Sequence, residues 1–200
     1  MTAPGPRIAP LPREQWDERL TRVLEASPGG ADEPMHIFAT LARANPPNPE
    51  LFRRWMGFGA SLLGGGLSSR LRELVILRTA YRFDGRYEWA QHLEMGEAQG
   101  VTRPELAALG DGAEGGLDAV TWPPLERAAL QAVDDTADAG AVSDDTWAAL
   151  AAHMSEGELI ELLMLIGHYL MLTTVLRSLR IELEPRAEAA ARSVPGGPAA

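Results

Sequence analysis

Glu88 and His92 lie four positions apart in "GRYEWAQH" (85 to 92), with Tyr87 and Trp89 beside them. On a helix that spacing puts the carboxylate and the imidazole on one face, within reach of each other. Imidazole passes protons near neutral pH, and a neighbouring carboxylate fixes its tautomer and raises its basicity. A second carboxylate, Glu73, sits upstream in "LRELVILRTA" among Leu71, Leu74, Val75, Ile76 and Leu77. Two readings of Glu73 stand. Either it faces solvent or pairs with Arg70 three residues earlier, or it is buried and needs a hydrogen-bond partner or a proton. In the second case its helix could bring it against His92, giving a Glu, Glu, His cluster in an apolar pocket lined by Tyr87 and Trp89. Glu-x-x-x-His is a common pattern, and in most helices it marks only a solvated pair.

The composition narrows the chemistry further. The chain has no cysteine, which removes thiolate nucleophiles, disulfides and thiol-ligated metal. All 18 basic residues are arginine, so no lysine amine is available for a Schiff base. Acid–base work would fall to His, Glu, Asp and Tyr. The formal charge of −10 disfavours nucleic-acid backbones and anionic membrane surfaces, leaving a small-molecule substrate or other protein chains as expected partners. "MTAPGPRIAPLP" lacks the apolar stretch of an export signal, so a cytoplasmic location is expected. The apolar run 162 to 176 is short for a membrane span and carries His168, which fits a core helix.

The elements that must position these residues read as helices throughout. Helical patterns cover 13 to 26 (stopped by "SPGG"), 35 to 45 (stopped by "PPNP"), 49 to 63, 68 to 83 and 86 to 100. They continue over 102 to 109, 123 to 140, 143 to 154 and 155 to 184. "TRPE" and "SEGE" are capping boxes, either Ser68 or Ser69 can cap the fourth helix, and Ser143 is a further candidate cap. Only Asp84 and Gly85 separate the fourth and fifth helices, predicting a helical hairpin that faces Glu73 toward His92. "GGG" at 64 to 66 is a connector, "GDGAEGGLDAVTW" (110 to 122) is expected to be a flexible loop, and the Ala, Gly and Pro-rich tail from Pro185 is expected to be disordered. No alternation of period two is long enough for a core strand, so the fold class is all-α. The expected organisation is an N-terminal helical extension (1 to 34), a core domain (35 to 184) and a tail (185 to 200). Helices apolar on all sides point to a homo-oligomer.

"RLRELVILRTAYRFDGRYEWAQHLEMGEAQGVTRPEL" resembles the core motif of the carboxymuconolactone decarboxylase family, whose helical domain is shared with AhpD-type alkylhydroperoxidases. "LERAALQAVDDT", "VSDDTWAAL" and "ELIELLMLIGHYLML" extend the likeness to roughly residues 35 to 184, implying an AhpD-like helical bundle. In the peroxidase branch a Glu is followed by a C-x-x-C pair and a His that relay protons around a thiol. Aligned on Glu73 and His92, the thiol positions fall on Gly85 and Glu88, so the resemblance cannot carry thiol peroxidase activity here. The decarboxylase branch implies a cofactor-independent lyase or isomerase moving a proton on a small carboxylated lactone or carbonyl compound. His92, Glu73 and Glu88 would be its catalytic groups, and Tyr87, Trp89 and His168 would touch substrate. A non-catalytic oligomeric binding or scaffold protein is the alternative. No metal is expected, since no ligand spacing of a known metal motif is present. Arg78 lies five residues from Glu73, turned away from that face, and is expected in a structural ion pair. His36 and His153, near helix ends, are expected to be structural or exposed.

Overall fold

In the computed structural model, residues 5–26, 30, 32–45 and 48–198 are described, and among them the chain is helical with no strand. Ten α-helices follow in order: α1 Glu18–Ala26, α2 His36–Leu41, α3 Pro49–Leu63, α4 Ser69–Arg82, α5 Arg86–Ala98, α6 Arg103–Leu109, α7 Pro124–Ala139, α8 Asp144–Ala151, α9 Glu156–Leu179 and α10 Pro185–Ser193. The "SPGG" and "PPNP" stops fall largely outside the described residues, as do residues 1–4 of the N-terminal segment. Ser68, Thr102, Ser143 and Ser155 each accept from a backbone N–H in the first turn of the helix they open, and Thr102 and Ser155 do so in complete capping boxes.

α4 is apolar nearly all round because two cores share it. Val75 and Ile76 pack with Ala129, Val133, Leu162 and Leu165 of α7 and α9. Leu74 and Leu77 face the opposite way, onto Trp89, Leu93, Leu106 and Leu109 of α5 and α6. A third cluster joins α1 to α2 and α3 through Leu20, Leu24, Ala39 and Phe52, so the N-terminal helix packs on the helices that follow it.

Charge is buried in α4 only where it is paired. Arg78 donates in a fork to both carboxyl oxygens of Asp134 at 2.7 and 2.8 Å and to the carbonyl of Leu109 at 2.8 Å. This is the structural ion pair expected for it. Asp134 keeps a second partner in Arg82, but Arg78→Met leaves the Leu109 carbonyl without a donor and one charge less at the carboxylate. A loss of about 3 kcal/mol in unfolding free energy is expected, read by urea denaturation.

Two segments differ from the sequence expectation. The tail is not disordered over its described part: Pro185 opens α10, whose alanines are good helix formers, and Ala187 is buried. Glu188 receives Arg86 at 2.7 Å, tying α10 to α5, while Val194 enters the second core and Asp111 N–H bonds the Gly196 carbonyl at 3.0 Å. Residues 199 and 200 lie outside the described residues. The 110–122 segment is likewise anchored: Leu117 and Trp122 are buried and the Trp122 indole N–H donates to the Leu117 carbonyl at 2.8 Å. The long last helix of the sequence reading ends earlier, where Arg180 turns left-handed (φ 55°). The first pattern is also broken, into a 3-10 turn at Arg13–Gln15 and α1.

α9 has the length and composition to cross a membrane, yet half of its most apolar window is buried inside the fold, as a core helix would be. Its outer face carries Ile160, Leu163, Met164 and Met171 at helical spacing, all exposed.

Candidate active site

The α4–α5 turn sets the geometry. Asp84 takes a left-handed conformation (φ 61°), its N–H bonding Tyr81 O and the Gly85 N–H bonding Ala80 O at 2.6 Å. This is a Schellman closure of α4 that starts α5 immediately. The two helices then run back against each other, and the buried Glu73 meets His92: Oε2 lies 2.8 Å from Nδ1. Glu73 does not pair with Arg70, which instead bonds Glu105, Glu126 and the Gly100 carbonyl.

The other imidazole nitrogen is also engaged. Nε2 lies 3.1 Å from the hydroxyl of Tyr169 on α9. With both nitrogens occupied, His92 reaches a ligand through Tyr169, so the relay is Glu73–His92–Tyr169. Two proton arrangements fit these heavy-atom positions. If His92 is neutral with its hydrogen on Nδ1 toward Glu73, Nε2 accepts the tyrosine hydrogen. If His92 is protonated, Nε2–H donates to the tyrosine oxygen and the phenolic hydrogen is free for another acceptor. Burial, together with the nearby Glu73 and Glu88 charges, holds Tyr169 well above the ordinary tyrosine range, so it remains a donor.

Glu88, in the first turn of α5, is 3% exposed and neither carboxyl oxygen has a hydrogen-bond partner. Desolvation raises its pKa from 4.5 to about 7, against smaller lowering effects from its own backbone N–H, Thr173, His92 and Arg177. A carboxyl group poised there serves as acid or base near neutrality. Gly85, just before α5, has no room for a side chain: a Cβ would stand 2.5 Å from Thr173 Oγ1 and 2.9 Å from Glu88 Oε2. The glycine therefore lets Glu88 and Thr173 close over the turn.

These groups border a cavity of about 340 Å³ between α1, α2, α3, α5 and α9. Glu88, His92, Tyr169 and His168 line it together with apolar residues from α2 and α3, among them Phe38 and Trp55. That volume is in the range of small-molecule sites. Tyr87 contributes its ring, but its hydroxyl is committed to the buried Glu184 at 2.7 Å, which also receives Gln91 Nε2 and the His36 backbone N–H. His168 is buried, edge-on to Phe58 and Tyr169, with Nδ1 unpartnered; desolvation lowers its pKa, leaving it neutral near pH 7. Trp89 is absent from the lining. It is 1% exposed within the second core, because its position on α5 aligns it with Leu93 rather than with Glu88 and His92. The substrate contact expected of Trp89 is thus replaced by a packing role.

Tyr169 and Trp55 are among the lining groups that sequence reasoning did not assign to the site. Tyr169 was visible only as a polar residue next to His168 in an apolar helix. Trp55, whose indole N–H is buried without a partner, had no sequence signal beyond its stripe on α3. Among the described residues no three His, Asp or Glu side chains converge as a metal-binding set. His36 bonds the Glu182 carbonyl near the surface, and His153 is exposed.

The helical architecture has the AhpD-like fold, in a chain without cysteine. Residues 49–135, from α3 into α7, match the model of the Carboxymuconolactone decarboxylase family. Among solved structures, an uncharacterized peroxidase-related protein from Ralstonia eutropha JMP134 with an alkylhydroperoxidase AhpD core superposes with a TM-score of 0.77 at 16% identity, over 96% of this chain and 98% of that one. A variant of the debrominase Bmp8, in complex with 2,3,4-tribromopyrrole, superposes with a TM-score of 0.73 at 17% identity, covering 93% and 96%. An AhpD-type protein of unknown function from Agrobacterium tumefaciens reaches 0.61 at 23% identity, covering 72% and 94%. No curated protein sequence is significantly similar to the chain.

Proposed function

We propose that this protein is a cofactor-independent acid–base enzyme, an isomerase or decarboxylase that moves a proton on a small carbonyl compound. One observation carries the reading: an unpartnered buried carboxyl, Glu88, shares a cavity with the end of a Glu73–His92–Tyr169 hydrogen-bond chain. Glu88 as carboxylate removes a proton from the carbon next to the carbonyl. The C–H electron pair forms the C=C bond of an enolate, and the carbonyl π pair moves onto oxygen. Tyr169 donates its hydroxyl hydrogen to that oxygen, with His92 Nε2–H donating to the tyrosine oxygen and Glu73 holding the imidazole at Nδ1. Where the carbonyl compound is β,γ-unsaturated the enolate is a dienolate, and return of the proton from Glu88 to the γ-carbon, as the C=C shifts to the α,β position and the carbonyl re-forms, completes an isomerisation. In the decarboxylating variant, loss of CO2 generates the same enolate and protonated Glu88 supplies the hydrogen. A positioned base contributes about 10²–10⁴-fold and an oxyanion donor about 10²–10³-fold.

A scaffold role would leave the hairpin interior filled, whereas the open cavity supports a ligand-handling one. The debrominase of this fold, whose structure holds a halogenated pyrrole, supports small-molecule chemistry in the same way. The test is a screen of lactones, ketones and keto acids for turnover or α-hydrogen exchange with deuterium, run on wild type beside His92→Ala and Tyr169→Phe. Each variant is expected to lose about 10²-fold in kcat. Equal turnover by wild type and His92→Ala would remove the relay from the mechanism.

A further inference from the structure

A cavity that handles carboxylated substrates needs a cation to receive them, and this one offers none. No arginine lines it among the described residues, and the chain has no lysine. Of the nearby guanidiniums, Arg177 pairs with Asp84 at 2.6 Å and donates to the Phe83 carbonyl, and Arg72, which donates to the Leu67 carbonyl and Ser69 and whose Nε is buried without a partner, lies outside the lining. His92 is balanced by Glu73 at 2.8 Å. The charged and titratable groups acting on Glu88 are His92 on its own helix and Arg177 on α9, with Tyr169 of α9 close by, which in turn feels Glu73 and Arg72 of α4. α2 and α3 add only apolar and aromatic side chains. The buried polar atoms of the lining that lack partners are the Glu88 oxygens, His168 Nδ1 and the Trp55 indole N–H. One is an acceptor that becomes an anion, one a neutral imidazole nitrogen and one a neutral donor. A ligand would satisfy them by presenting a hydrogen to Glu88 and an oxygen to the neutral donors, Trp55 and Tyr169. A carboxylate would have to give up its water beside another carboxylate with no compensating charge.

We propose that the substrate is an uncharged, ring-sized carbonyl compound, its acidic hydrogen facing Glu88 and its oxygen facing Tyr169 and Trp55, and that carboxylate-bearing compounds are excluded. This rests on the proton-transfer reading above and resolves it, since without a substrate carboxylate the reaction is isomerisation rather than decarboxylation.

Benzamide and benzoate test it, being nearly equal in size and shape and different in charge. Calorimetric titration of the full-length protein at about pH 8 is expected to show benzamide binding and benzoate at least about 30-fold weaker. In Glu88→Gln the two should come within about threefold of each other. Wild type supplies an independent measurement: at about pH 5.5 benzoate is still an anion while Glu88 holds its proton, so the preference should narrow there too. Benzoate binding as tightly as benzamide at pH 8, a preference untouched by Glu88→Gln and by pH, or no binding of either compound would overturn the proposal. Charge preference with no turnover in the exchange screen would instead defeat the enzyme reading and leave the selectivity standing. Turnover of carboxylated substrates with no charge preference would do the reverse.

Discussion

Glu88→Gln should lower kcat for proton transfer by about 10³-fold while leaving KM within a few-fold of wild type. Glutamine has nearly the shape of glutamate and keeps the packing against Gly85 and Thr173, but it cannot take a proton. The substitution therefore separates the base from the cavity around it. Wild type should show a matching pH profile. Its Glu88 pKa of about 7 means that the carboxylate, the form able to act as base, accumulates as pH rises through neutrality. kcat/KM for α-hydrogen exchange is expected to climb between about pH 6 and 8 and then level off. A flat profile over that interval, or a Glu88→Gln enzyme of undiminished kcat, would take Glu88 out of the chemistry.

The same substitution should stabilise the protein, and only at higher pH. The folded-state pKa is raised from 4.5 to about 7, so between those values the native state holds a proton that the unfolded chain releases. The stability gained from that proton is complete below about 4.5 and is lost as pH rises through 7. Above 7 the ionised, unpartnered carboxylate costs up to about 3 kcal/mol, at about 1.4 kcal/mol per pKa unit. Glu88→Gln removes the cost. At about pH 8 its Tm should exceed that of wild type by roughly 5–10 °C, and near pH 5 the two should nearly coincide. An equal Tm gain at both pH values would show that the gain comes from packing rather than ionisation. Higher stability together with lost turnover is the pattern of a group held at an energetic disadvantage for its reactivity.

Much of the site's framework is legible in the sequence. The absence of cysteine and lysine, the all-helical patterning, the caps and the short link between α4 and α5 are local properties of the chain, decided by residue type and short spacing. So is the shared face of Glu88 and His92. The Glu73–His92 contact follows from the same local rules, because a tight antiparallel hairpin leaves few ways to bring its facing positions together. Trp89 was misjudged because neighbours in sequence differ by about 100° around a helix, and α5 is buried on both sides.

What the sequence alone determined is therefore the hairpin, the available chemistry and the thiol-free character of the site. Tertiary structure decided the rest: that Tyr169, distant in the chain, closes the relay; that Glu184 occupies the Tyr87 hydroxyl; that α10 is packed rather than loose; and that among the described residues no guanidinium lines the cavity. The physical reason is range. Helical periodicity and capping act over a few residues, whereas desolvation of Glu88, the unpartnered Trp55 N–H and the missing counter-charge are set by which helices enclose the same space, and no local spacing encodes that.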